Sequence, residues 1–287
     1  MFEGFTESWV QVSGARLHVR VGGQGPALLL IHGHPRTHAT WCHVAPLLAS
    51  SFTVVCPDLR GFGQSSMPPD APGHIHSSKR AKAADCLELM QQLGYERFGV
   101  VGHDRGSYVA FRLAMDHPAA VERLVILEGV PIVEALERCG SEFATRWWHW
   151  FFFAQPDKPE RAILADPDAW YGLSTEPMGP EAFADIQMAI HNPEVVHGMV
   201  EDYRAGLGID RAHDEADRAA GRRIRCPMLC LWALQDDLPD LCGDVLAIWQ
   251  PWAPNLQGAG LDCGHHMAEE KPQELSDSIT RFMHADL

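Results

Sequence analysis

Five residues, Gly102-His103-Asp104-Arg105-Gly106, constrain this chain more than any other stretch. They follow the apolar run Phe98-Gly-Val-Val-Gly102, which reads as a buried strand. They precede Tyr108 to Met115, which reads as a helix. A strand that becomes a helix within so few residues must turn sharply. Small residues on either side let the backbone close. The central side chain is then held at the top of a sheet, where a nucleophile can stand. Here that side chain is a carboxylate, Asp104.

A carboxylate gains little by attacking a carbonyl carbon, because the product is a reactive anhydride. It is suited to displacing a leaving group from a saturated carbon, which leaves an alkyl ester on the protein. Water must then hydrolyse that ester with the help of a general base. Asp104 in this setting implies cleavage of a carbon–halogen bond or of an epoxide C–O bond.

Composition narrows the class. The 287 residues are 46% hydrophobic, which fits one large α/β domain carrying an insertion. A formal net charge of −15 argues against nucleic acid or an anionic membrane as partner. No segment approaches the ~18 apolar residues of a membrane span. Met1 to Glu7 lacks the basic and apolar regions of a secretion signal. The cysteines are scattered, and Cys226 with Cys230 finds no second pair to complete a zinc site. They read as buried reduced thiols of a cytoplasmic protein with a small-molecule substrate and no cofactor or metal.

Along the chain, Trp9 to Val12 and Arg16 to Arg20 alternate around Ser13-Gly14, which predicts a hairpin. Ala27 to Ile31, Phe52 to Cys56, Leu124 to Leu127 and Met228 to Trp232 are apolar runs expected of buried parallel strands. Ser78 to Leu93 has helical periodicity and stops at Gly94. Strands alternating with helices imply a mostly parallel sheet covered on both faces. From about Pro131 to Gly221 strand signals vanish and Trp, Phe, Pro and Asp accumulate. The pattern resembles the α/β-hydrolase fold, a mostly parallel eight-stranded sheet with helices on both faces and an inserted helical cap. Residues 1–130 and 222–287 then form the core domain, and 131–221 the cap over Asp104.

That fold assigns further roles. His32-Gly33-His34-Pro35 follows a strand, so the backbone N–H groups of His34 and Arg105 are expected to form an oxyanion hole. Losing one such donor typically costs ~3 kcal/mol in barrier. Gly264-His265-His266 precedes the last helix, which makes His265 the expected base and leaves His266 to turn away. The base needs an acid to orient it. Glu128 directly after one strand and Asp236 after the next both qualify. Glu128 is slightly favoured, and the choice stays open.

These residues resemble the fluoroacetate and haloacetate dehalogenases, relatives of epoxide hydrolases and haloalkane dehalogenases. The likeness spans nearly the whole chain. It includes His32 to His38 with Trp41, Asp58 to Ser65, Gly102 to Gly106, Trp148 to Pro156, Glu201 to Gly206 and Gly264-His265. It implies Asp104 as nucleophile, His265 as base, and an acid after the strand that follows the elbow helix, hence Glu128. It implies His149, Trp150 and Tyr203 as a cradle for a departing halide, and Arg105 as the grip on a substrate carboxylate. A homodimer is expected on the same ground. Where haloacetate dehalogenases carry a second arginine, this chain has Tyr108, and a phenol does not replace a bidentate guanidinium. An epoxide hydrolase is therefore the alternative, with Tyr203, Trp150 or His149, and Tyr108 or Tyr171, as donors to the ring oxygen. A non-catalytic ligand-binding homologue is the third reading.

Overall fold

The structure is a computed structural model and describes residues 1–285. Its strands are β1 (Thr6–Gln11), β2 (Arg16–Gly23), β3 (Ala27–Ile31), β4 (Thr53–Pro57), β5 (Phe98–His103), β6 (Val121–Leu127), β7 (Met228–Ala233) and β8 (Leu256–Leu261). They form one eight-stranded sheet in the order β1-β2-β4-β3-β5-β6-β7-β8. β2 pairs antiparallel with both β1 and β4, and every other pair is parallel. This is the expected α/β-hydrolase fold.

The apolar runs explain the layering. Leu28 and Leu30 of β3 pack on one face with Leu48, Leu275 and Ile279, while Leu29 and Ile31 pack on the other with Leu89, Val109 and Phe111. A strand buried on both faces needs apolar residues at every position, and each such side chain contributes roughly 1.5–3 kcal/mol. The helix Lys79–Gln92 starts where Ser78 Oγ accepts from the Ala81 N–H at 3.2 Å. The final strand, Leu256-Gln-Gly-Ala-Gly-Leu261, carries two glycines instead of an apolar run and has no clear signature in sequence.

Between β6 and β7 there are helices from Ile132 to Ala219 and no strand. The longest, Pro193–Ala205, runs into a π-helical turn, Gly206–Asp210. No helix among the described residues is long and apolar enough to cross a membrane. All eight cysteines are free, but Cys139 is exposed and Cys42 and Cys226 are half-buried, so the expected uniform burial holds only for the other five.

The sheet order locates the site. β4 lies on one side of β3 and β5 on the other, so the loops that follow β3 and β5 diverge at the carboxyl edge. Ligands of such sheets bind in the crevice opened there. His34 follows β3 and Asp104 follows β5.

Candidate active site

Asp104 is the turn between β5 and the helix Arg105–Asp116, at φ 50° and ψ −120°. A non-glycine residue there is strained by roughly 1–3 kcal/mol, a cost typical of functional turns. The turn closes only because its flanks are bare. A Cβ on Gly102 would lie 2.3 Å from the Gly106 carbonyl oxygen, and one on Gly106 would lie 2.4 Å from that of His32.

Asp104 Oδ2 accepts the His34 backbone N–H at 2.7 Å. The Arg105 N–H is the first of the helix and makes no bond to Asp104. His265 Nε2 stands 3.8 Å from Asp104 Oδ1, beyond hydrogen-bond length. His265 Nδ1 is 2.6 Å from Asp236 Oδ2. The His266 N–H donates to Glu270 Oε1 at 3.1 Å. His103, beside Asp104, hydrogen-bonds the His265 carbonyl through Nε2 at 2.8 Å and ties the two loops together. Sequence reasoning gave His103 no role, although its place inside the elbow was the available signal.

The expectation favouring Glu128 as partner of the histidine is corrected by this geometry. Asp236, three residues beyond β7, reaches Nδ1. Glu128 turns instead to the Ala233 N–H at the end of β7 and to Asp236 itself. It occupies a left-handed backbone position, φ 50°, and is buried.

Arg105 is also placed otherwise than expected. Its Nε donates to Asp202 Oδ2 at 2.6 Å, and its Nη2 donates to the Asp202 carbonyl at 3.0 Å. The guanidinium lies 4.0 Å from the Tyr203 ring centroid, with Tyr108 and Trp150 on its other sides. It therefore backs the aromatic wall and does not line the cavity. Lys79 and Lys82 share the same Asp202 carboxylate. Tyr171 is out of place as a donor too, since its hydroxyl points to Met199 Sδ at 3.9 Å.

The remaining groups converge. A cavity of about 300 Å³ is lined by Asp104, His34, Tyr108, His149, Trp150 and Tyr203, with Glu128, Asp236 and His265. Arg146, Trp147, Asp237 and Leu238 complete its wall and were not foreseen. Trp147 stacks on Trp150 with centroids 5.4 Å apart and donates to Asp237 Oδ1 at 2.8 Å. Arg146 Nε pairs with the same carboxylate at 3.2 Å. Tyr108, His149, Trp150 and Tyr203 each carry a side-chain N–H or O–H group into the lining of this cavity. A larger cleft, about 730 Å³, lies away from all of these between Asp70, His74, Glu160 and His197.

Electrostatics sort the groups. Burial disfavours the Asp104 anion, but the charges of His265 and His103 and the His34 N–H outweigh it, and the pKa is lowered. Burial also works against the His265 imidazolium. The Asp236 hydrogen bond and the Asp104 charge outweigh that and raise it to about 9. Burial lowers His34 to about 3 and His149 to about 4, so both rings are neutral. Burial raises Tyr108 and Tyr203, which keep their protons. The cavity thus sets a carboxylate opposite several neutral donors. Glu128, Asp236 and His265 could geometrically hold a metal, as could His18, His38 and Asp58, and Asp70, His197 and Glu201, but in all three sets a histidine already hydrogen-bonds an aspartate.

The sequence model of the α/β hydrolase fold matches residues 26–272. The chain is 39% identical to a fluoroacetate dehalogenase from a Burkholderia species, over 99% of this chain and 95% of that one. It is 32% identical to a soluble epoxide hydrolase from Corynebacterium sp. (strain C12), over 96% of each. The structure of a Nostoc sp. PCC 7120 protein, provisionally called an α/β hydrolase, superposes with a TM-score of 0.96 at 42% identity over the full length of both chains. The fold, the elbow and these likenesses agree: the chain belongs to the α/β hydrolase fold family.

Proposed function

We propose that this hydrolase cleaves small 2-halo acids by way of an ester on Asp104. One observation carries the reading. The Asp104 carboxylate accepts the His34 N–H, and it shares a cavity of about 300 Å³ with four neutral side chains able to donate, Tyr108, His149, Trp150 and Tyr203. Such donors match an anion that forms only during the reaction.

Oδ2 is held by the His34 N–H, which leaves Oδ1 free to attack. The Oδ1–carbon bond forms as the carbon–halogen bond breaks, and the halide departs toward His149, Trp150 and Tyr203. Water then loses a proton to His265 Nε2 and adds to Cγ of Asp104. The negative charge moves to Oδ2, facing the N–H groups of His34 and Arg105. Collapse breaks the Cγ–Oδ1 bond, the imidazolium protonates the departing alkoxide to give the hydroxy acid, and the Asp104 carboxylic acid left behind gives up the second water proton to return to the carboxylate. Asp236 steadies the imidazolium, and the helical insert acts as the cap that limits access of water.

The charge on Asp104 also times the base. While Asp104 is an anion it helps hold His265 protonated. Esterification removes that charge, so the imidazole pKa falls and the ring is free to take a proton when hydrolysis needs it.

Epoxide opening is the second reading, and the Arg105–Asp202 pair favours it, because no unpaired guanidinium faces the cavity to grip a carboxylate. His149 and Tyr203 would then donate to the ring oxygen. Incubation with fluoroacetate, chloroacetate and styrene oxide, with assays for halide and diol, tests both. Halide release with ¹⁸O from water accumulating in the residue-104 carboxyl is the expected result. Diol alone moves the assignment to epoxides. Ligand affinity with no turnover and no ester leaves a binding protein.

A further inference from the structure

We infer that Glu128 and Asp236 form a carboxyl–carboxylate pair behind His265, in which Glu128 keeps one proton and donates it to Asp236, while Asp236 carries the charge that faces the imidazole. This rests on His265 as the base of the proposed reaction. It makes Glu128 a positioning residue that acts through Asp236.

Three contacts support the pair. The Glu128 and Asp236 oxygens and the His265 nitrogen lie within 4.8 Å of one another, and so close to the Asp236 anion a buried Glu128 is disfavoured as a second anion. Glu128 already accepts the Ala233 N–H through Oε1, which leaves Oε2 for a proton shared with Asp236. Asp236 is the carboxylate at 2.6 Å from His265 Nδ1. The strands explain the arrangement. Glu128 and Asp236 leave the carboxyl ends of neighbouring β6 and β7, so both side chains arrive at one side of the imidazole. Besides Asp236 and His265, the groups felt by or facing Glu128 are the thiols of Cys230, Cys242 and Cys263, with Arg146 and Asp237 farther along the cavity wall.

Ionisation follows the geometry. Burial raises Glu128 to about 8, while Asp236, whose burial is outweighed by the His265 hydrogen bond, is lowered to about 2. When pH rises through the upper value, Glu128 loses its proton, and two anions then stand behind the imidazole. Asp236 loses its donor, and the added negative charge holds His265 protonated when it must be neutral. Hydrolysis of the ester should therefore decline on the alkaline side.

The test pairs spectroscopy with kinetics. Infrared difference spectra of the ¹³C-glutamate-labelled protein at pH 6.5 should show a protonated carboxyl that Glu128→Gln removes. NMR titration of His265 should shift downward in the same variant, since the charge that appears at high pH is gone. Neither readout needs turnover, so a failure to release halide would not touch them. With substrate, Glu128→Gln keeps an N–H donor toward Asp236. It should lose about threefold in kcat at neutral pH and lose the alkaline decline. Glu128→Ala removes the donor and should cost about tenfold in kcat at every pH, with KM little changed. The pair is overturned if the wild-type spectrum holds no protonated glutamate at pH 6.5, or if the alkaline decline survives unchanged in Glu128→Gln.

Discussion

Two aspartates occupy matching places in the sheet and do opposite things. Asp58 follows β4 by one residue and Asp104 follows β5 by one residue, and these two strands flank β3. Asp58 is wholly buried and accepts four hydrogen bonds, from the His38 N–H at 2.7 Å, His38 Nδ1 at 2.9 Å, His18 Nδ1 at 2.9 Å and the Gln64 N–H at 3.0 Å. Asp104 accepts one, faces a cavity and meets its histidine only at 3.8 Å. A carboxylate whose lone pairs are all engaged is inert and holds loops together. One left short of donors beside a cavity keeps a lone pair for chemistry. The difference lies in the donors each turn supplies, because residue type and strand position are the same.

The largest expected break in this contrast is Asp104→Asn. Removing the nucleophile should cut turnover by about 10⁵–10⁶-fold while the fold survives. The same variant checks the timing of the base, because an amide has no charge to hold the imidazolium. Its His265 should titrate below the wild-type value by NMR, and an unchanged titration would separate the two groups electrostatically. His265→Ala comes next, with hydrolysis of the ester slowed by about 10³–10⁴-fold. The first step does not need the base, so mass spectrometry after incubation with chloroacetate should find a carboxymethyl ester on residue 104. An ester on another residue would place the nucleophile elsewhere, and an unmodified chain would mean that no covalent step occurs with this substrate.

Asp58→Asn sharpens the comparison from the other side. It should cost about 3–4 kcal/mol of stability in denaturant unfolding, since charged acceptors are lost to buried donors. Turnover per folded molecule should change little. The pH dependence has a definite sign. Burial opposes the Asp58 anion, but His38 and His18 hold its pKa well below the ordinary carboxylate value. Its contribution is therefore complete above the unfolded carboxylate range and disappears as pH falls toward the folded value. The variant should show a flatter acid limb of stability. Loss of activity without loss of stability would place Asp58 in the reaction.

What sequence could and could not convey follows from the range of the interactions. The elbow and the parallel strands are local patterns, apolar runs and flanking glycines, and each appears where it was expected. β8 is built from Leu256 and Leu261 around glycines, so its burial comes from neighbours and not from its own pattern. The partner of His265 depended on which of two strand-end loops bends inward. Glu128 is drawn to the Ala233 N–H, a bond spanning 105 positions that periodicity does not encode. Arg105 is tied to Asp202 across 97 positions, and Lys79 and Lys82 join it there. An arginine beside the nucleophile reads in sequence as a substrate grip, and only the buried counter-charge turns it inward.

The smallest expected effect is also the most discriminating. Tyr203 keeps its proton, sits 5.6 Å from the His149 ring and 6.3 Å from the Trp150 ring between centroids, and lines the cavity. Tyr203→Phe removes one donor and little volume. A neutral hydrogen bond made only to the departing anion is worth about 1–1.5 kcal/mol, so kcat on fluoroacetate should fall about tenfold. Fluoride leaves poorly and concentrates charge, whereas bromide is large and leaves easily, so kcat on bromoacetate should fall by only about twofold or threefold. KM should stay nearly constant for both, because the donor acts on a charge absent from the bound substrate. An equal loss on both substrates would mean that Tyr203 shapes the wall without touching the leaving group. Epoxides should respond more strongly than either halide, since the ring oxygen must receive a proton, and His149, being neutral, can supply only part of what the phenol provides.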